Sequence, residues 1–351
     1  MRLLSISYKE NDWELKNLKL GEVNLLVGKN GVGKTRTTSL ILMASWIISK
    51  SNFISKDDDL FELSLEFSNN NDIINYSLKY HRKKIVEENI FINNISFLSR
   101  TINKGIIKSQ ITNNFNEVYP PEDKLLLHVN RDIKNYPFLE DIHHWAKTFS
   151  DFTFSDIHPE IPDNKKMNHV QEMNQDFKFL IPERQKNITK QLNYIGYNVE
   201  NISSQEQGDL IFLNIKEKNI DKLIPSYELS QGTIRALYTL TILADIVQNK
   251  YISTIVIDDL CEGLDYERAT KLGKIVFQTC KENNVQLIAS SNDMFLMDVV
   301  DIEYWNILQR EGNVVTSINK HTHPDLFENF KFTGLSNFHF FADDYLNLIN
   351  E

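Results

Sequence analysis

The chain has 351 residues, 41% hydrophobic and 25% charged, with 48 acidic against 38 basic side chains for a formal net charge of −10. That length buries a substantial core and accommodates two domains or one large α/β domain with an insertion, while the acidic balance excludes a generally basic surface and leaves DNA binding only to a local groove. Two cysteines, Cys261 and Cys280, are too few for a disulfide framework or a zinc site; with no opening signal peptide, and with Ser39 to Ile48 as the longest apolar run, a cytoplasmic protein without a membrane span is expected.

Residues Met1 to Leu20 alternate apolar and polar around Tyr8-Lys9-Glu10-Asn11-Asp12, the pattern of a hairpin. Tyr8 and Trp13 are placed either to stack on a nucleotide base or to pack in a small sheet. The apolar strand Val23 to Val27 then leads into Gly28-Lys29-Asn30-Gly31-Val32-Gly33-Lys34-Thr35, followed by Arg36 and an apolar-periodic helix from Thr37 to Ile48. Gly, four residues, then Gly-Lys-Thr is the spacing of a phosphate-binding P-loop. Its glycines let successive N–H groups converge on a polyphosphate at a helix N-terminus. Lys34 is expected to reach the β/γ-phosphates and Thr35 to ligate Mg²⁺, with the whole stretch Gly28 to Arg36 contacting the nucleotide.

Ser51 to Asp59 reads as a polar loop, and Leu60 to Phe67, Ile73 to Tyr80 and Lys84 to Ile92 as an antiparallel meander. From Phe97 to about Gln207 the pattern loosens. Tyr119-Pro120-Pro121 marks a break, Leu125 to Val129 a buried strand, and Phe138 to Phe149 a short helix. Asp151 to Asn174 reads as a loop or mobile lid, Ile181 to Ile195 as a helix and Leu210 to Ile215 as a strand. His143-His144 and His321-Thr322-His323 lack nearby cysteines or a spaced glutamate and read as solvated histidines rather than a metal site.

Regular alternation returns in the second half. Leu229-Ser230-Gln231-Gly232-Thr233 opens a helix over Ile234 to Val247. Tyr251 to Ile257 is a β-run ending in Asp258-Asp259, Tyr266 to Glu282 a helix, and Val285 to Ala289 a strand ending at Ser290-Ser291-Asn292-Asp293. This alternation predicts a parallel sheet. Trp305 to Ile318 forms a hairpin turning at Glu311-Gly312-Asn313, and an aromatic tail, Phe327 to Tyr345, packs on the sheet or binds a partner. An aspartate ending an apolar strand is the usual companion of a P-loop. Asp258 is expected to serve the Mg²⁺ shell with Thr35, and Asp259 to polarise the attacking water.

The order P-loop, Ser-x-Gly, then Asp-Asp-x-x-x-Gly-Leu-Asp resembles the ABC-class ATPases, in particular the soluble SMC, RecF and OLD-like branch. Leu229, Ser230 and Gly232 match the family's Leu-Ser-Gly-Gly-Gln signature, and Gly263-Leu264-Asp265 matches its D-loop. The resemblance covers about the first hundred and the last hundred and forty residues. It implies an α/β P-loop NTPase fold of the ABC nucleotide-binding type, with an antiparallel β side-sheet and an inserted, mostly helical lobe. The expected divisions are 1–100 for the P-loop and meander, 101–208 for the inserted lobe, 209–320 for the signature, Asp258-Asp259 and switch strand, and 321–351 for the tail.

The resemblance further implies a homodimer sandwiching two ATP molecules, each held between the P-loop of one protomer and Ser230 and Gly232 of the other. It places a switch residue at Asn292. Two departures bear on rate: Asp259 stands where the family has Glu, and Asn292 where it has His. Both point to slow hydrolysis. No residue, Gln110 included, stands in a convincing glutamine-loop context. Without a heptad repeat a long-arm SMC protein is excluded. The favoured expectation is an ATPase gating a separate effector in bacterial anti-phage defence. A RecF-like DNA-repair ATPase, supported only by His81-Arg82-Lys83-Lys84, and an ATP-locked scaffold are the alternatives.

Overall fold

The computed structural model of the protein describes residues 1–50, 60–162 and 168–342. An N-terminal hairpin joins β1 (Arg2–Glu10) to β2 (Trp13–Lys19), and β3 (Val23–Val27) runs through the glycine-rich loop into α1 (Lys34–Ser49). The meander comprises β4 (Leu60–Asn69), β5 (Asp72–His81), β6 (Lys84–Ile92), β7 (Ile95–Thr101), β8 (Lys104–Lys108) and β9 (Phe115–Val118). Next come α2 (Leu126–Val129), α3 (Pro137–Lys147), β10 (Phe149–Thr153), α4 (His169–Phe179) and α5 (Pro182–Ile195). A separate three-stranded sheet is built from β11 (Val199–Gln207), β12 (Leu210–Glu217) and β13 (Leu223–Pro225). The chain continues as α6 (Gln231–Asn249), β14 (Thr254–Asp258), α7 (Tyr266–Glu282), β15 (Gln286–Ser290) and α8 (Met294–Val299). The hairpin β16 (Trp305–Glu311) and β17 (Val314–Ile318) follows, then α9 (Pro324–Lys331) and α10 (Asn337–Ala342).

The main sheet has the order β10-β14-β15-β3-β16-β17-β2-β1-β4-β5-β6-β7-β8-β9. From β10 to β16 the neighbouring strands are parallel, as the alternation of strands and helices predicts. Every residue of β3, β14 and β15 is buried, because helices cover both faces of this part of the sheet. Alternate residues feed two cores. Leu25, Ile257 and Leu287 enter one with α6 and α7, whereas Leu26, Val256 and Ile288 enter the other with α1, α3 and the meander. The antiparallel side-sheet is continuous with the parallel core, joined where β17 pairs with β2.

Several expectations need correction. Leu125 to Val129 is not a strand: Leu126–Val129 is one helical turn. Asp151 to Asn174 is not simply a loop or lid, since β10 adds a parallel edge strand beside β14 and α4 begins at His169; residues 163–167 lie outside the described residues. The middle of the chain therefore contributes directly to the core sheet. His143 is not solvated but 4% exposed, and burial first, then the Arg131 charge, pushes its pKa down to about 4. His81 to Lys84 forms the β5–β6 turn, with Arg82 and Lys83 at positive φ. Tyr8 and Trp13 are both buried, at 7% and 1% exposure, which is the packing alternative. In the tail Phe327, Phe330 and Phe340 pack on the core, and Tyr345 lies outside the described residues, as does the loop expected over Ser51 to Asp59.

A buried ion pair fastens the turn of α2 to the side-sheet. Glu88 accepts hydrogen bonds from the N–H groups of Leu126 at 2.6 Å and Leu127 at 3.2 Å, and pairs with Arg100 at 3.4 Å; both charged side chains are fully buried. Arg100 also donates to the carbonyls of Ile102 and Pro121. Removing one partner strands the other's charge in the core. Glu88→Ala is expected to cost about 3–5 kcal/mol, measurable by urea unfolding.

Candidate functional site

The ends of β3, β14 and β15 bring three sequence segments together. Gly33, at φ 109°, caps α1 without a side-chain hydrogen bond, so the first N–H groups of that helix have no side-chain cap. Gly28 is required by close approach: a Cβ there would lie 2.7 Å from Val32 Cγ1 and 3.0 Å from the Leu308 carbonyl oxygen. The Lys34 amino group donates to the carbonyl oxygens of Gly28 at 2.8 Å and Lys29 at 3.4 Å, curling along the loop. Burial lowers its pKa, and Asp259 and Asp258 oppose that shift. Lys29, Gly31, Thr35 and Arg36 are exposed, and Val32 is buried beneath the loop.

Asp258, 4% exposed, closes the end of β14. Its Oδ1 accepts from Thr38 Oγ1 at 3.0 Å and from Ser290 Oγ, while Oδ2 is buried without a hydrogen-bond partner. A buried carboxylate oxygen left unpaired is costly unless a cation or water serves it. The donor set, one buried carboxylate with the exposed Thr35 hydroxyl beginning α1, suits a hard cation such as Mg²⁺ that keeps most of its waters. It is Thr38, one turn beyond Thr35, that holds Asp258 in place. No group of three or more His, Cys, Asp or Glu side chains placed to hold a metal occurs among the described residues.

Asp259 adopts φ 55°, and its N–H donates to Ser290 Oγ at 3.0 Å. Its pKa is pushed up to about 6, by burial first and then by the charges of Asp258 and Glu262, with Lys34 opposing. Asn292, just beyond β15, reaches the P-loop, its Nδ2 donating to Asn30 Oδ1 at 2.8 Å. Asp258, Asp259, Lys34 and Asn292 therefore belong to one cluster. Ser230 is hydrogen-bonded to its own helix start rather than to that cluster and caps α6, accepting from the Thr233 N–H at 3.3 Å. Ser230 and Gln231 are exposed, and a Cβ on Gly232 would come within 3.2 Å of Leu264 Cδ2. Gln110 sits in the β8–β9 connection, at the sheet edge farthest in strand order from β14.

Sequence reasoning missed Arg235. Buried at 7% exposure, it donates to the carbonyls of Ser155 at 2.8 Å, Ile157 at 3.3 Å and Glu262 at 2.9 Å. It thereby ties α6 to the segment after β10 and to the Glu262-Gly263 turn. Only its position among apolar residues early in α6 could have drawn notice.

A family profile described as "AAA domain, putative AbiEii toxin, Type IV TA system" matches residues 23–298. The chain belongs to this AAA-domain family. Among solved structures it is similar to the SMC head domain from Thermotoga maritima, with a TM-score of 0.50, 13% identity, and 91% of this chain and 99% of that one covered. It is also similar to an SMC head bound to the C-winged helix domain of ScpA, with a TM-score of 0.52, 10% identity, and 91% and 97% covered. A third likeness is to an SMC head with extended coiled coil bound to the C-terminal domain of ScpA, from Pyrococcus furiosus, with a TM-score of 0.51, 10% identity, and 94% and 99% covered. These identities speak to the fold alone. No curated protein matches the sequence. The AAA-domain protein thus shares the P-loop fold of the SMC head domains. Among its described residues no helix is long and apolar enough to cross a membrane.

The raised Asp259 pKa has a consequence for stability. A carboxyl that holds its proton more tightly when folded makes the ionised form a burden above about pH 6, and the burden fades toward the unfolded value near pH 4. Asn tolerates the positive φ of this position. Asp259→Asn is therefore expected to raise Tm at pH 8, with the gain shrinking toward pH 4 in a thermal-melt series.

Proposed function

We propose that this protein binds ATP with Mg²⁺, closes as a homodimer around two ATP molecules, hydrolyses them slowly, and through that cycle gates a separate effector in a bacterial anti-phage or toxin–antitoxin system. The observation carrying this reading is the convergence of Lys34, Asp258, Asp259 and Asn292 at the ends of three adjacent parallel strands. The toxin–antitoxin description of the family supports the biological setting.

Each residue has a distinct task. The N–H groups from Gly31 to Thr35 and the Lys34 ammonium bind the phosphates; the loop carbonyls that Lys34 contacts are neutral acceptors that a phosphate oxygen outcompetes. Thr35 and Asp258 hold Mg²⁺, which when bound neutralises charge on the phosphate oxygens. Asp259 accepts a proton from the attacking water, and Asn292 donates to the terminal phosphate. Ser230 and the exposed start of α6 form a second anion site, of use only to a phosphate held by another protomer. Being one methylene shorter than glutamate, Asp259 holds the water less closely, so turnover is slow.

Light scattering after size-exclusion chromatography tests the dimer directly. Lys34→Ala is expected to lose ATP binding and stay monomeric, whereas Asp259→Ala binds ATP and accumulates as a dimer; a monomer in saturating ATP sinks the sandwich. Steady-state hydrolysis is expected to be slow and to ignore linear duplex DNA at moderate salt. Strong stimulation by DNA would replace the effector reading with a repair role.

A further inference from the structure

Beside the P-loop, a column of buried aromatic rings ends at the surface in an arginine. Tyr80 stacks on Phe61 at 5.2 Å between centroids, Phe61 on Tyr8 at 5.7 Å, and Tyr8 lies 6.1 Å from Trp13. The indole of Trp13 also borders the phosphate loop, since a Cβ on Gly33 would stand 3.8 Å from its Cζ2 and Nε1. Over the Trp13 ring, 4.5 Å from its centroid, sits the Arg36 guanidinium. Glu10 holds that guanidinium in an ion pair, and Glu10 is itself bonded by the Tyr8 hydroxyl at 3.2 Å. Trp13 is 1% exposed, whereas the Arg36 side chain is 48% exposed.

A nucleotide whose phosphates occupy the P-loop must lay its base against something nearby. Trp13 has no free face to offer, because Arg36 covers it. A guanidinium is planar, weakly hydrated and able to stack on a π-system, so an arginine already backed by an aromatic ring presents a second stacking surface. We propose that the nucleobase of bound ATP stacks on the outer face of Arg36, with Trp13 behind the guanidinium and Glu10 fixing its orientation. Arg36 is then a base-binding residue rather than a phosphate ligand, its charge being already matched by Glu10. This assignment rests on the nucleotide site proposed above.

Comparing MgATP with inorganic tripolyphosphate separates base from phosphate contacts. By isothermal titration, Arg36→Ala is expected to weaken MgATP binding about tenfold while leaving tripolyphosphate affinity unchanged. Arg36→Lys, which keeps the charge but loses the plane, should behave likewise. Unchanged tripolyphosphate binding also shows that the variants are folded. Equal loss of both ligands would make Arg36 a phosphate contact and overturn the assignment, as would undiminished ATP binding in Arg36→Ala. A wild-type protein that binds neither ligand would overturn the nucleotide site itself and this subsite with it, whereas wild-type binding of both with no Arg36 effect defeats the subsite alone.

Discussion

The Asp258 carboxylate is the joint on which the rest of the site depends. It is buried at the end of a strand whose five residues are all buried, and it is gripped from two directions: by Thr38 on the helix after the phosphate loop and by Ser290 on the next strand. Ser290 also accepts the backbone N–H of Asp259. One hydroxyl thus fixes both acidic residues, and it lies two positions before Asn292, which reaches the loop from the other side. The cost of burying a carboxylate is met on one oxygen and left standing on the other. That imbalance is one that a hard cation or an ordered water at Oδ2 would relieve.

The parallel core makes this geometry rigid. Fully buried strands of β-branched and leucine residues cannot slip by one residue without exchanging their two cores. Polar side chains reinforce the register from inside. Gln286 bonds both the N–H and carbonyl of Leu3, and Asn24 reaches the Leu287 carbonyl of the adjacent strand. The side-sheet is pinned independently through Glu88 and Arg100, so the two halves are stabilised by different interactions.

Much of this was legible in the sequence because local signals agreed with the final fold. The P-loop sits between a strand and a helix as its glycines require, and the helix expected from Tyr266 to Glu282 has those ends, capped by Asp265. Where local signals were ambiguous, reading failed. Leu125 to Val129 is a short apolar run that periodicity cannot assign, and a helical turn wins because Glu88, far away in sequence, accepts its first N–H groups. The strand at Phe149–Thr153 pairs only with β14, about a hundred residues later, so nothing near it announces a core strand. The candidate site residues were visible as motif members; the residues that hold them, Thr38, Ser290 and Arg235, were not, because each acts through a partner distant in sequence.

The continuous sheet has a narrow seam. Where β17 meets β2, only two residue pairs are in register, Val314 with Glu14 and Val315 with Leu15, fewer than at any other junction of the sheet. Val315 and Trp13 flank that seam, and both border Gly33. The junction of side-sheet and parallel core thus lies beside the glycine that begins the helix after the phosphate loop. The same two side chains therefore serve the sheet junction and the phosphate loop, so a change in their packing is felt at both.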